Sequence, residues 1–105
     1  MYQNILNHEF ESLMRDPNSV VVDVRTPEEI KSGFIPGTSI FIDFNGDQFD
    51  QKVQALDKSK KYLVYCRSGA RSAKTCRLLE ELGFNGPFYN LAKGIADWNG
   101  ELRIP

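Results

Sequence analysis

The stretch Lys61–Leu82, KYLVYCRSGARSAKTCRLLEEL, decides the fold. Its opening run, Lys61–Cys66, is rich in aromatic and aliphatic residues, has strand length and shows no clean polar alternation. That is how a strand buried on both faces of a parallel sheet reads. From Ala70 onward, Ala73, Cys76, Leu79 and Leu82 fall in phase on one helical face, and Gly83 follows as a stop signal. The spacing predicts a helix over 70–82. A strand that gives way so quickly to a helix argues for a layered α/β fold, in which ligands bind at the carboxyl ends of the strands. Cys66 stands on such an end.

The flanking sequence repeats the alternation. SVVVDV (Ser19–Val24) is a second buried-strand pattern, SIFID (Ser39–Asp43) a third, PFYNL (Pro87–Leu91) a weaker fourth, and YQNI (Tyr2–Ile5) a short fifth. Helical signals fill the gaps. Phe10, Leu13 and Met14 share a face after Asn7, and Phe49, Val53 and Leu56 make a modest stripe. Thr26 is placed as an N-cap, with Pro27 at the first helical position and Glu29 closing a capping box. GIADW (Gly94–Trp98) carries a last short helix. The expected architecture is α/β: a central, mostly parallel sheet of about five strands with helices on both faces, residues 1–105 forming one domain.

Composition narrows the function classes. The 105 residues are 41% hydrophobic and 26% charged, with a formal net charge of −1, so bulk electrostatics offer no surface for nucleic acid or membrane. No apolar run approaches the ~20 residues that span a bilayer. The opening residues lack the basic and apolar regions of a signal peptide, so the expected compartment is the cytoplasm. The two cysteines are then thiols. Cys76 falls about two turns along the helix, roughly 10 Å from its start, beyond the ~7 Å a disulfide tolerates. One histidine and two separated cysteines make no metal-ligand set, and no cofactor is expected.

The loop CRSGARS explains why Cys66 is the candidate nucleophile. Gly69 permits a positive φ, which lets successive N–H groups turn inward around one point. The helix that follows aims its positive N-terminal end at the same point. A thiol ordinarily ionises near pH 8.5. A guanidinium ~4 Å away is worth up to ~4 kcal/mol at an effective dielectric near 20, and a helix terminus adds roughly 0.3–1 kcal/mol. The expectation is a Cys66 held largely as thiolate, with Arg67, Ser68, Gly69, Ala70, Arg71 and Ser72 forming the substrate-binding cradle. Arg71 is expected to swing over the mouth of the cradle and Arg67 to point out towards an incoming anion. No histidine base is at hand, since His8 lies outside the loop.

Other residues take supporting or structural readings. Asp23 and Arg25 end an apolar strand: the alternatives are a surface pair worth under ~1 kcal/mol and a pair that braces the Cys66 loop, with the supporting role favoured. Glu29 is accounted for by the capping box, Cys76 by the apolar face of its helix, Trp98 by the core or a pocket wall, and Asp57–Lys61 by a solvated loop.

YCRSGARSA (Tyr65–Ala73) resembles the active-site loop of the rhodanese family of sulfurtransferases, where Cys is followed by Arg, any residue, Gly, any residue and Arg. VVDVRTPEEIKSGFIPGT (Val21–Thr38) resembles the family's Asp-x-Arg signature with its Glu-aromatic pair and Gly-His-Ile-Pro-Gly-Ala turn, and YNLAKGIADW (Tyr89–Trp98) its closing segment. Phe34 stands where the family usually has His, Ile30 where it usually has Phe or Tyr, and Thr38 where it has Ala. The last is expected to be minor and the first to affect turn packing rather than catalysis. The resemblance implies a persulfide on Cys66, a small anionic donor such as thiosulfate, and a thiol, cyanide or a sulfur-relay protein as acceptor. A regulatory or relay module is the alternative of a different class. A cysteine phosphatase or arsenate reductase is a further rival, but related phosphatases enclose five residues between Cys and Arg, whereas Cys66 and Arg71 enclose four.

Overall fold

The computed structural model describes residues 1–105. Five strands, β1 (Gln3–Ile5), β2 (Ser19–Asp23), β3 (Thr38–Phe41), β4 (Lys61–Tyr65) and β5 (Phe88–Leu91), alternate with four helices, α1 (Asn7–Leu13), α2 (Pro27–Ile30), α3 (Phe49–Gln54) and α4 (Ala70–Glu81), and a 3-10 turn follows at Ile95–Asp97. The sheet order is β1-β5-β4-β2-β3. Every pairing is parallel, including that of the short β1 with β5.

The alternation of β4 shows why its sequence lacks polar positions. Tyr62, Val64 and Cys66 join Val53 of α3 and Cys76 and Leu79 of α4 in one core. Leu63 and Tyr65 join Phe10 of α1, with Ile5, Ile35 and Leu91, in the other. Helices therefore cover both faces, and either face of β4 demands apolar side chains. Trp98 packs on this second core, edge-to-face with Phe10 at 6.2 Å.

Two local expectations change. The buried face of α4 is Ser72, Thr75, Cys76 and Leu79, so the stripe begins one residue before Ala73. It begins on a polar residue because Ser72 faces the sulfur of Cys66 rather than the core. Thr38 is also more than a minor replacement for Ala. The Tyr65 hydroxyl accepts from Ile35 N–H at 3.1 Å and lies 2.9 Å from the Thr38 hydroxyl, which itself donates to the Ile35 carbonyl at 2.7 Å. These bonds pin the turn before β3 to the centre of the sheet.

Chain order fixes the position of the site. The connection leaving β4 runs to β5 on one side, and that leaving β2 runs to β3 on the other. The carboxyl ends of β4 and β2 therefore flank a topological switch point, the crevice where open parallel sheets bind ligands. The Cys66 loop enters it from β4, and α2 from β2. No helix is long and apolar enough to cross a membrane.

Candidate active site

Cys66 directly follows β4 with 1% of its surface exposed, and its sulfur is ringed by donors. Gly69 N–H lies 3.1 Å from Sγ, Ser72 N–H 3.5 Å and the Ser72 hydroxyl 3.4 Å. Burial pushes the thiol pKa up. The Ser72 hydroxyl and the N–H groups of Ser72, Gly69 and Ser68 outweigh it and hold the group below its ordinary range. These are hydrogen bonds to the charged form, the interaction that most directly favours a thiolate. The sequence assigns the largest share to a guanidinium, whereas the contacts at the sulfur are one hydroxyl and two amides. Cys76, by contrast, is pushed up to about 12 by burial and sits in the core as an inert thiol.

The loop holds its shape through close backbone contact. Gly69 has φ 99°, and a Cβ there would lie 2.2 Å from the Ala92 carbonyl oxygen. Gly94 has φ 68°, and its Cβ would lie 2.1 Å from the Arg67 carbonyl oxygen. Only glycine fits either approach. The same closing segment donates Ile95 N–H to the Cys66 carbonyl at 2.9 Å and Ala96 N–H to the Arg67 carbonyl at 3.0 Å. Below, the Asn90 amide of β5 donates to the Gly69 carbonyl at 3.2 Å.

The arginines divide the work differently from the sequence expectation. Arg71 does not swing free over the cradle. Its two terminal nitrogens donate to the two carboxylate oxygens of Glu29 at 2.8 and 2.9 Å. Arg71 holds the Glu29 carboxyl down at about 2. Glu29 is therefore not explained by its cap alone. Its Oε1 closes the box on Thr26 N–H at 3.1 Å and receives Arg71 as well. The capping box is legible because its partners lie within one turn, whereas Arg71 is 42 residues away. Arg67 is exposed, has no ion pair, and lines a cleft of about 350 Å³ with Arg25, Glu29, Ser32, Ile95 and Ala96. Ser68 and Ala70 are exposed on the loop.

Asp23 and Arg25 form a buried pair, with Arg25 Nη2 donating to Asp23 Oδ2 at 2.7 Å and Nε to both carboxylate oxygens at 3.1 Å. It is no surface pair: Asp23 is 0% and Arg25 4% exposed. Neither side chain hydrogen-bonds the Cys66 loop. Arg25 instead donates to the carbonyls of Glu29 at 3.3 Å and Gly33 at 2.8 Å. The pair braces α2 and the turn after it, and α2 in turn presents Glu29 to Arg71. The reach to the loop is indirect. The structure shows no cluster of His, Cys, Asp and Glu suited to a metal.

A wholly parallel sheet thus carries a hydrogen-bonded cysteine where its central strand meets a helix N-terminus. The rhodanese-like domain family matches residues 6–101, and the chain belongs to that family. It is similar to the Bacillus subtilis protein YtwF, named as a candidate sulfurtransferase, with 34% identity over 93 residues covering 89% of this chain and 85% of that one. A sulfurtransferase of Allochromatium vinosum is 35% identical over 79 residues, 75% of this chain and 70% of its own. A rhodanese-like domain protein from Staphylococcus aureus shares the fold at TM-score 0.80 and 30% identity, with 98% of both chains covered.

Proposed function

We propose that the protein transfers sulfane sulfur through a persulfide on Cys66. One observation carries the reading: the Cys66 sulfur sits inside a ring of hydroxyl and amide donors at the start of α4, which favours an anionic sulfur. In the first step the thiolate attacks the outer sulfur of a donor such as thiosulfate. The S–S bond to the leaving group breaks, sulfite departs with the electron pair, and Cys66–S–S⁻ remains. In the second, an acceptor thiolate or cyanide attacks the terminal sulfur, and the Cys66 thiolate is returned. No proton need be shuttled in either step, which suits a site with no histidine among its donors. Preorganised N–H groups stabilise the thiolate and the persulfide anion alike. Arg67, exposed in the cleft without a partner, is the group that meets an anionic donor. Ser68, Gly69, Ala70, Arg71 and Ser72 complete the cradle, and Asp23 and Arg25 support it.

The loop length favours sulfur over phosphorus. Four residues between Cys66 and Arg71 make a narrower cradle than the five of related phosphatases, and Arg71 is already paired with Glu29. A reducing compartment such as the cytoplasm suits a working thiol. Steady-state assays with thiosulfate and with glutathione persulfide test the proposal against an aryl phosphate. The expected result is sulfur transfer lost in Cys66→Ser, a raised KM for thiosulfate in Arg67→Ala, and negligible phosphate release. Cys66-dependent phosphatase turnover comparable to sulfur transfer would overturn it.

A further inference from the structure

Strand β5 carries an amide where its neighbours are apolar. Asn90, between Tyr89 and Leu91, is 2% exposed. Its Nδ2 donates to Asn4 Oδ1 across the β1–β5 pair at 2.9 Å and to the Gly69 carbonyl at 3.2 Å. A backbone carbonyl can only accept, so the amide orientation is set by chemistry. Its Oδ1 is buried without any partner. A buried, unpaired acceptor destabilises the fold, and a leucine at this position would carry no such cost. The amide must therefore be read through the bonds it does make.

Gly69 is the pivot of the cradle. Its N–H makes the shortest contact to Cys66 Sγ, at 3.1 Å. A glycine has the softest backbone of any residue, so an N–H aimed from one needs restraint from outside. The Gly69 carbonyl receives Ala73 N–H at 3.2 Å, the first bond of α4, and one side chain, that of Asn90. We propose that Asn90 is a positioning residue: by anchoring the Gly69 carbonyl to β5 it keeps the Gly69 N–H aimed at the sulfur and thereby sets the nucleophilicity of Cys66. It touches neither the sulfur nor a substrate. The inference rests on Cys66 as the nucleophile and not on which donor it uses.

Alkylation of Cys66 by iodoacetamide as a function of pH tests this without any sulfur donor, so its failure is distinct from a failure of sulfur transfer. Wild type, Asn90→Leu, Asn90→Asp and Asn4→Ala are compared, each with the Cys76→Ser change so that one thiol reports, and each with a thermal melt. Asn90→Leu removes the anchor without leaving a polar group, so the rate at neutral pH falls roughly two- to tenfold and the profile moves to higher pH. Asn90→Asp keeps the shape and can accept from Asn4; once ionised it cannot donate to Gly69, so its profile at the alkaline end moves in the same direction. Asn4→Ala keeps the Gly69 bond and leaves the profile in place. A purely structural Asn90 would change melting alone. If a folded Asn90→Leu alkylates with the wild-type profile, the proposal is wrong.

Discussion

Ser72 is where the chemistry of the sulfur is most exposed to a single change. Its hydroxyl is the largest favourable influence on the Cys66 thiol, and it reaches the sulfur from the first turn of α4 at 3.4 Å. Ser72→Ala keeps the backbone N–H and removes only the hydroxyl. Losing a hydrogen bond to a charged group costs roughly 1.5–3 kcal/mol, or about ten- to a hundredfold. The variant is expected to form persulfide slower by about that factor, with the pH midpoint of thiol alkylation raised and the melting temperature little changed. A rate and midpoint equal to wild type would leave activation to the amides alone. The sequence brought Ser72 into the cradle but not its hydroxyl onto the sulfur. Ala73 and Ser72 differ by one helical position, about 100°, and four apolar residues do not resolve the phase of a stripe to that accuracy. The burial of a serine becomes readable only once Cys66 is known to sit opposite it.

At the scale of the element, α2 links a buried ion pair to the rim of the Cys66 loop. Four residues long, it has no intrinsic stability to speak of. It is held by the Thr26–Glu29 box at one end and by Arg25, which grips the Glu29 and Gly33 carbonyls from Asp23. Thr26, Pro27 and Glu29 announced this helix because capping is local in sequence. Asp23 and Arg25 were legible as a pair, but not as a buried one, since burial depends on the turn at Gly33 packing over them. The Glu29–Arg71 bond crosses two elements and left no local signal. It makes a prediction about acid stability. The carboxyl of Glu29 is held at about 2, below its ordinary 4.5, by Arg71 first of all. A depressed carboxyl contributes stability that is present above its unfolded pKa and lost as pH falls through the folded one. Urea unfolding free energy should therefore fall between pH 4.5 and about 2 more steeply in wild type than in Glu29→Gln. Parallel slopes for the two proteins would show that the ion pair adds nothing to stability.

For the whole molecule, the number, type and parallel sense of the strands were legible because both faces of the sheet are covered. SVVVDV and KYLVYC have no polar side to offer, and that absence is itself the signature of a sheet between helical layers. The strand order was not legible, since it depends on which crossovers pass which neighbours. Yet the order is what brings α2 and the Cys66 loop together, so that Glu29 and Arg67 line one cleft and Arg71 reaches Glu29 from α4. The proposed function turns on whether Cys66, beside this cleft, carries sulfur. Intact-mass measurement after incubation with thiosulfate, and separately with glutathione persulfide, tests it most directly. The wild type and Cys76→Ser should gain the mass of one sulfur atom from at least one donor and release it to added cyanide, while Cys66→Ser gains none. A wild type that stays unmodified by both donors, or a Cys66→Ser protein that still takes up sulfur, would rule out Cys66 as the sulfur carrier.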